Sequence, residues 1–382
     1  MSLLTNRSNL RSDLKIDPNG RVWSDATLNR YLNEGQREVI NDPDADWQFM
    51  QTVGYLTPSG IPEYIEEDRD APEKFFPKHM KQMTQMWASN GSYLDMTNLP
   101  EITGATAPSA NRYSLYAERL WLNAGVDSAA SYTTLHNMDT FDGDGTWVGV
   151  GDTINVATDA VTYKEGSGSV SFDIDVSASS WDGALLTNST MTAVDISSYI
   201  LDESAIILWV YLPDATNFES VSIYFGSDSS NYYSSKSNFT DAQGNKYKDG
   251  WNRIIIPTIN KTTTGTPDMS SVGYLRIIIA YSNSQTDQTS VRVDNIQIVD
   301  KYIRYMYLLN ATDLSADTDE SAIPSQYQPV YEKYAAYKAW SVLSGRENMA
   351  QMALQEYNRM KNKMKRELLW SNTEFYKMRL VR

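Results

Sequence analysis

Ala205-Ile-Ile-Leu-Trp-Val-Tyr-Leu212 is the longest apolar run in the chain, and its reading decides the fold. Eight residues fall far short of the roughly 20 that span a bilayer, so the run reads as a buried strand. The same reading extends outward to Val221-Ser-Ile-Tyr-Phe225, Gly250-Trp-Asn-Arg-Ile-Ile-Ile256 and Tyr274-Leu-Arg-Ile-Ile-Ile279 on one side. On the other side it takes in Gly166-Ser-Gly-Ser-Val-Ser-Phe172. Ser, Thr, Asn, Asp and Gly turns separate these strands. The set opens at Asp139-Thr-Phe-Asp-Gly-Asp-Gly-Thr-Trp147 and closes at Val291-Arg-Val-Asp-Asn-Ile-Gln-Ile298. Strands at this spacing predict an all-β sandwich of jelly-roll type over residues 128–300.

Composition changes at both seams of that segment. It carries 8 Lys+Arg against 21 Asp+Glu, a net charge of −13, whereas residues 1–127 sum to −6 and residues 301–382 to +4. The flanks read as one discontinuous domain, 1–127 with 301–382, into which the sandwich is inserted. Insertion at a hairpin tip is tolerated because loop closure costs rise slowly with length. Tyr113-Ser-Leu-Tyr116 and Arg119-Leu-Trp-Leu-Asn123 read as that hairpin, and Tyr302 to Leu309 reads as its third strand. In the flanks, helices are expected over Leu4 to Leu14 and from the Ser24 cap to Ile40, with a shorter one near Pro77 to Met86. Two more should follow Pro324, with Tyr327, Val330, Tyr331 and Tyr334 striping the first. Gly345 breaks the pair, and Met349, Met352, Met360 and Met364 stripe the second. The fold class expected is α+β and multidomain: a mainly α-helical core with a small antiparallel sheet, interrupted by the jelly roll.

The totals exclude several functions. There is no Cys for a disulfide, a thiol nucleophile or a Cys-based metal site. The amino terminus lacks an apolar signal region, so export and membrane attachment are not expected. A net charge of −15 argues against general nucleic-acid binding. The only histidines, His79 and His136, stand in unrelated contexts. Asp173 and Asp175 share a strand face without a third acidic partner, so no enzyme is expected. For sugar contact the aromatic residues to test are Trp181, Tyr232, Tyr233 and Trp251.

Two family resemblances attach to these residues. The ordering from the Phe141-Asp142-Gly143 segment to the Asp294-Asn295-Ile296 strand resembles jelly-roll carbohydrate-binding modules. That resemblance implies a sandwich and a structural calcium, for which Asp142, Asp144 and Asp294 are the available carboxylates. The flanks resemble phage head-to-tail connector (adaptor) proteins. The resembling features are Leu3-Leu-Thr-Asn-Arg-Ser-Asn-Leu10, Trp23-Ser-Asp-Ala-Thr-Leu28 with Tyr31-Leu-Asn-Glu-Gly-Gln-Arg-Glu38, the Tyr113 to Leu122 hairpin, and the strand at Tyr302. The linker Leu314-Ser-Ala-Asp-Thr-Asp-Glu-Ser-Ala-Ile-Pro324 completes the set. This resemblance implies a structural virion protein at the neck, made in the host cytoplasm. It would form a ring of identical subunits, a dodecamer, beneath the portal protein and above the next tail or neck protein, with DNA passing through without specific binding. The basic residues Lys361, Lys363, Lys365, Arg366, Lys377, Arg379 and Arg382 would then dock on the portal. The rival expectations are a glycan-binding protein whose sandwich is the working module, and another neck or tail-completion protein.

Overall fold

A computed structural model describes residues 1–15, 22–58, 63–65, 80–96, 112–116, 119–122, 129–178, 183–237 and 240–379. For residues 63–65, 115, 116, 119 and 369–379 it describes the backbone alone. Helices α1 (Leu3–Leu14) and α2 (Asp25–Ile40) come first. Strands β1 (Gln51–Leu56), β2 (Glu63–Ile65), β3 (Met80–Ala88), β4 (Asp95–Met96), β5 (Arg112–Tyr116) and β6 (Arg119–Leu122) follow. Then come β7 (Tyr132–His136), β8 (Val148–Gly151), β9 (Thr153–Asp159), β10 (Ser169–Ile174), β11 (Gly183–Asn188) and β12 (Ala205–Leu212). The strands end with β13 (Phe218–Asp228), β14 (Asn231–Lys236), β15 (Gly250–Pro257), β16 (Thr262–Thr264), β17 (Tyr274–Tyr281), β18 (Gln288–Val299) and β19 (Ile303–Leu309). Helices α3 (Pro329–Ser341) and α4 (Glu347–Arg379) close the chain.

The expectation of a mainly α-helical architecture is corrected. Among the described residues nineteen strands stand against four α-helices, so the chain is mostly β. One cause is β3, which falls where a short helix was expected. Met80, Lys81, Gln82 and Met83 have good helix propensity, yet they belong to a three-stranded sheet of order β1-β19-β3. Strand β19 is central there, and the hairpin of β5 and β6 belongs to a separate sheet of order β2-β6-β5-β4. None of the described helices is long and apolar enough to cross a membrane.

The chain divides into two compact units. The first comprises 1–52, 79–84 and 307–382, and the second 53–78 and 85–306. In the first unit Ser2 and Ser24 cap α1 and α2 by accepting the Thr5 and Thr27 backbone N–H. Leu3, Leu10, Leu14, Leu28, Leu32 and Val39 bury one side of these helices against Val330, Tyr331, Ala335, Tyr357 and Met364. The buried seam of α4 is Ala350, Tyr357 and Met364, whereas Met349 and Met352 are exposed.

In the second unit β7–β18 make the sandwich. One sheet has the order β15-β12-β18-β10-β9 with β7 also on β18, and the other is β16-β14-β13-β17-β11-β8. Between them Ile206, Leu208 and Val210 of the apolar run meet Val221, Ile223, Phe225, Leu275, Ile277 and Ile279. Every second residue of these strands therefore faces away from the core. The ends of the sandwich are tied together: Val299 pairs with Tyr132, and the Ser131 N–H donates to Asp300 Oδ1 at 2.8 Å.

Candidate functional site

The register places outward-facing side chains of the second sheet in rows. In one row Tyr232 of β14, Gly226 of β13 and Tyr274 of β17 are neighbours. In the next are Ser234, Tyr224, Arg276 and Thr187. A third runs Lys236, Ser222, Ile278 and Leu185. The middle of Gly226 has no side chain to separate its neighbours, so the rings of Tyr232 and Tyr274 approach to 5.9 Å across it. A Cβ built on Gly226 would lie 2.5 Å from Tyr232 Cα, so the gap exists only for glycine. Tyr224 stacks on Tyr232 at 5.1 Å and 18°.

Arg276 completes the cluster. Its guanidinium carbon is 5.8 Å from the ring centres of both Tyr224 and Tyr274, and its Nε donates to Thr187 Oγ1 at 3.2 Å. No carboxylate pairs with it among the described residues, in a segment whose acids outnumber its bases. Tyr274 is fully covered, its hydroxyl has no partner among the described residues, and burial raises its pKa. Tyr224, Tyr232 and Arg276 remain half-buried and reach solvent. Many flanking positions are hydroxyls, Ser222, Ser234, Thr187, Thr262 and Thr264, with Lys236 and Ile278 at the far end. This face therefore combines aromatic rings and hydroxyl groups with one guanidinium among the rings and the Lys236 amine at the far end.

The residues singled out from sequence scatter. Tyr232 is on this face. Tyr233 points the other way, into the core beside Phe225. Trp251 stands on the outer face of the other sheet, edge-on to Tyr211 at 5.4 Å. Trp181 lies outside the described residues. Tyr224, Tyr274 and Arg276 escaped the reading, although alternation could have found them: Arg276 between Leu275 and Ile277 marks the outward phase of β17.

The three aspartates named for calcium do not come together. Asp142 is exposed, and Asp144 accepts the Thr192 N–H at 2.7 Å. Asp294 is fully buried, accepting the Lys164 and Glu165 N–H groups at 2.6 and 2.9 Å. Its Oδ1 has no partner among the described residues, and burial, with the Glu165 charge nearby, pushes its pKa up to about 6. Among the described residues no three acidic or histidine side chains group as a metal site. His136 is buried and kept below the usual histidine pKa by desolvation; its Nδ1 accepts the Met138 N–H. His79 lies outside the described residues.

The basic residues named for docking are engaged within the helical unit. Lys361 and Lys365 both reach Asp42 Oδ2 at 2.8 Å. Burial alone would raise the Asp42 pKa, but hydrogen bonds from these two lysines and the Asp44 N–H lower it to about 2. Lys363 pairs with Glu367, and Arg366 donates to the Asn362 carbonyl. The side chains of Lys377 and Arg379, and all of Arg382, lie outside the described residues.

No family model and no curated protein matches the chain. Solved structures similar to it are β-sandwiches of the carbohydrate-binding-module kind. A family 11 carbohydrate-binding module from Clostridium thermocellum, in complex with a β-1,3-1,4-mixed-linked tetrasaccharide, is 16% identical over 45% of this chain and 96% of its own, with a TM-score of 0.30. A structure described for promiscuous specificity among carbohydrate-binding modules of the β-sandwich superfamily is 12% identical, covering 67% of this chain and 86% of its own, TM-score 0.29. An exo-β-agarase is 8% identical over 43% of this chain, which spans 24% of that enzyme, TM-score 0.29. The sandwich and its outer face stand on their own geometry.

Proposed function

We propose that the sandwich is a glycan-binding module and that its site is the outer face around Tyr224, Tyr232 and Arg276. The observation that carries this reading is the tyrosine cluster on the solvent side of the second sheet. A sugar ring has an apolar face of C–H groups and an equatorial rim of hydroxyls. Aromatic rings take up the former, and Arg276, Ser234 and Thr187 can hydrogen-bond the latter. The face holds no Asp or Glu at its central strand positions, whereas glycoside hydrolysis uses a pair of carboxyl groups. Binding without cleavage is the activity proposed.

The test is affinity electrophoresis of the full chain through gels holding different polysaccharides. At least one glycan should retard the protein, and Tyr224→Ala with Tyr232→Ala should weaken that binding about tenfold or more. Retardation by none of a broad panel would overturn the reading. The connector reading rests on sequence resemblance; its docking lysines 361 and 365 also pair with Asp42 within the chain. A glycan-binding function draws on residues that the fold leaves facing solvent.

A further inference from the structure

Building on the glycan-binding reading, we infer that the site selects a sugar bearing a carboxylate, a uronic acid, and that Arg276 is the residue that reads it. Three observations converge. Arg276 is half-buried on a sheet face and its Nε already donates to Thr187 Oγ1, fixing the guanidinium plane. Its terminal N–H groups have no acceptor among the described residues, and no carboxylate neutralises it. The surrounding segment carries −13, so an arginine without an acidic partner is unusual there.

Two other bases of the sandwich do have acidic partners. Arg292 meets Asp159 at 2.7 Å, and Lys261 meets Asp202. Arg276 instead leans on two tyrosine rings that hold it without satisfying its hydrogen bonds. A planar fork with free donors matches a carboxylate bidentately, and such charge-assisted pairs are roughly twice as strong as neutral ones. The same fork on a neutral sugar would meet only hydroxyls.

Charge also limits the density of the ligand. Asp228 and Asp268 lie at the Tyr274 end of the face, where they cap turns through the Ser230 and Ser270 N–H groups. A chain sulfated on every sugar would be repelled by that rim and by the acidic domain. With Arg276 the cation among the rings and Lys236 two strand positions beyond Ser234, a glycan offering isolated carboxylates, with neutral stretches on the tyrosines, fits the charge distribution.

The experiment is calorimetric titration of the full chain with glucuronate-, galacturonate- and mannuronate-containing oligosaccharides. Each is compared with its carboxyl-reduced neutral counterpart and with a sulfated galactan oligosaccharide. The acidic form of at least one should bind about tenfold more tightly than its reduced form, a preference worth one charge-assisted contact. Arg276→Gln should abolish that preference, bringing the acidic and reduced forms to equal affinity, whatever the loss of its contacts to sugar hydroxyls does to both. Arg276→Lys, which keeps charge but not the fork, should restore part of it. Circular dichroism of both variants confirms that the sandwich is folded. Equal affinity for acidic and reduced forms, an unchanged preference in Arg276→Gln, or tighter binding of the sulfated sugar would overturn the inference while leaving glycan binding intact. Binding of no oligosaccharide at all would remove both.

Discussion

Asp294 carries a carboxylate where water does not reach. Two backbone N–H groups hold one oxygen, while the other is bare among the described residues and the Glu165 charge is close. Its pKa is raised to about 6 in the folded chain, against 3.8 for an ordinary aspartate. The folded state thus binds a proton more readily than the unfolded one between those values. The contribution is greatest below about 4 and is lost as pH rises through about 6. Asp294→Asn keeps an acceptor for the two N–H groups and removes the buried charge. It should stabilise the sandwich by about 1–2 kcal/mol near neutral pH and flatten its stability between pH 4 and 6. Urea unfolding followed by tryptophan fluorescence at several pH values checks this. An unchanged pH slope in the variant would show that Asp294 is not the titrating group.

At the scale of elements, the helical unit depends on one close approach. A Cβ at Gly35 of α2 would sit 2.6 Å from the Tyr331 carbonyl oxygen of α3, so the helices meet at a distance only glycine permits. Nearby the Tyr331 hydroxyl accepts the Asn6 Nδ2–H at 2.6 Å, tying α1 to the same point. Gly35→Ala gains helix propensity yet must push α2 and α3 apart. A net loss of about 1–3 kcal/mol is expected in chemical denaturation, against a gain if the helices separated freely. The legibility of the elements follows the same logic. Helices α1 and α2 could be read because the Ser24 cap and the apolar spacing are local signals. The sandwich strands could be read because turns and apolar runs alternate. Strand β3 could not, because its helix-forming residues are fixed by pairing with a strand more than 200 positions away. Met349 and Met352 share the composition of the stripe but face solvent, since spacing alone does not say which flank of a broad face is covered. The site was half legible. The sequence marks Tyr232 and Tyr233 alike, and only register decides which of two adjacent tyrosines faces out.

For the whole molecule, the two carboxylates shifted furthest, Asp42 and Asp294, should act on their units in opposite senses as pH falls. Asp42 is held at about 2 by Lys361 and Lys365, so its contribution to the helical unit is present above about 4 and lost as pH falls toward 2. Over the higher window from about 6 down to about 4, Asp294 makes the sandwich more stable. Differential scanning calorimetry from pH 7 to pH 2.5 should therefore show the sandwich transition rising first and the helical transition falling later. A single transition moving in one direction throughout would refute that separation. A net charge of −15 adds general repulsion between copies at neutral pH, which favours solubility. The tie between the sandwich's entry and exit has a mechanical side as well. Strands β7 and β18 run antiparallel with Tyr132 opposite Val299, and the Ser131–Asp300 bond closes the open end. Tension drawn through those two ends pulls at the same end of one ladder. Its rungs would part singly, like a zipper, instead of resisting together in shear. A load applied from the tyrosine face would bypass that weak seam, so direction of pull, more than strength of any single bond, would set how firmly the module holds.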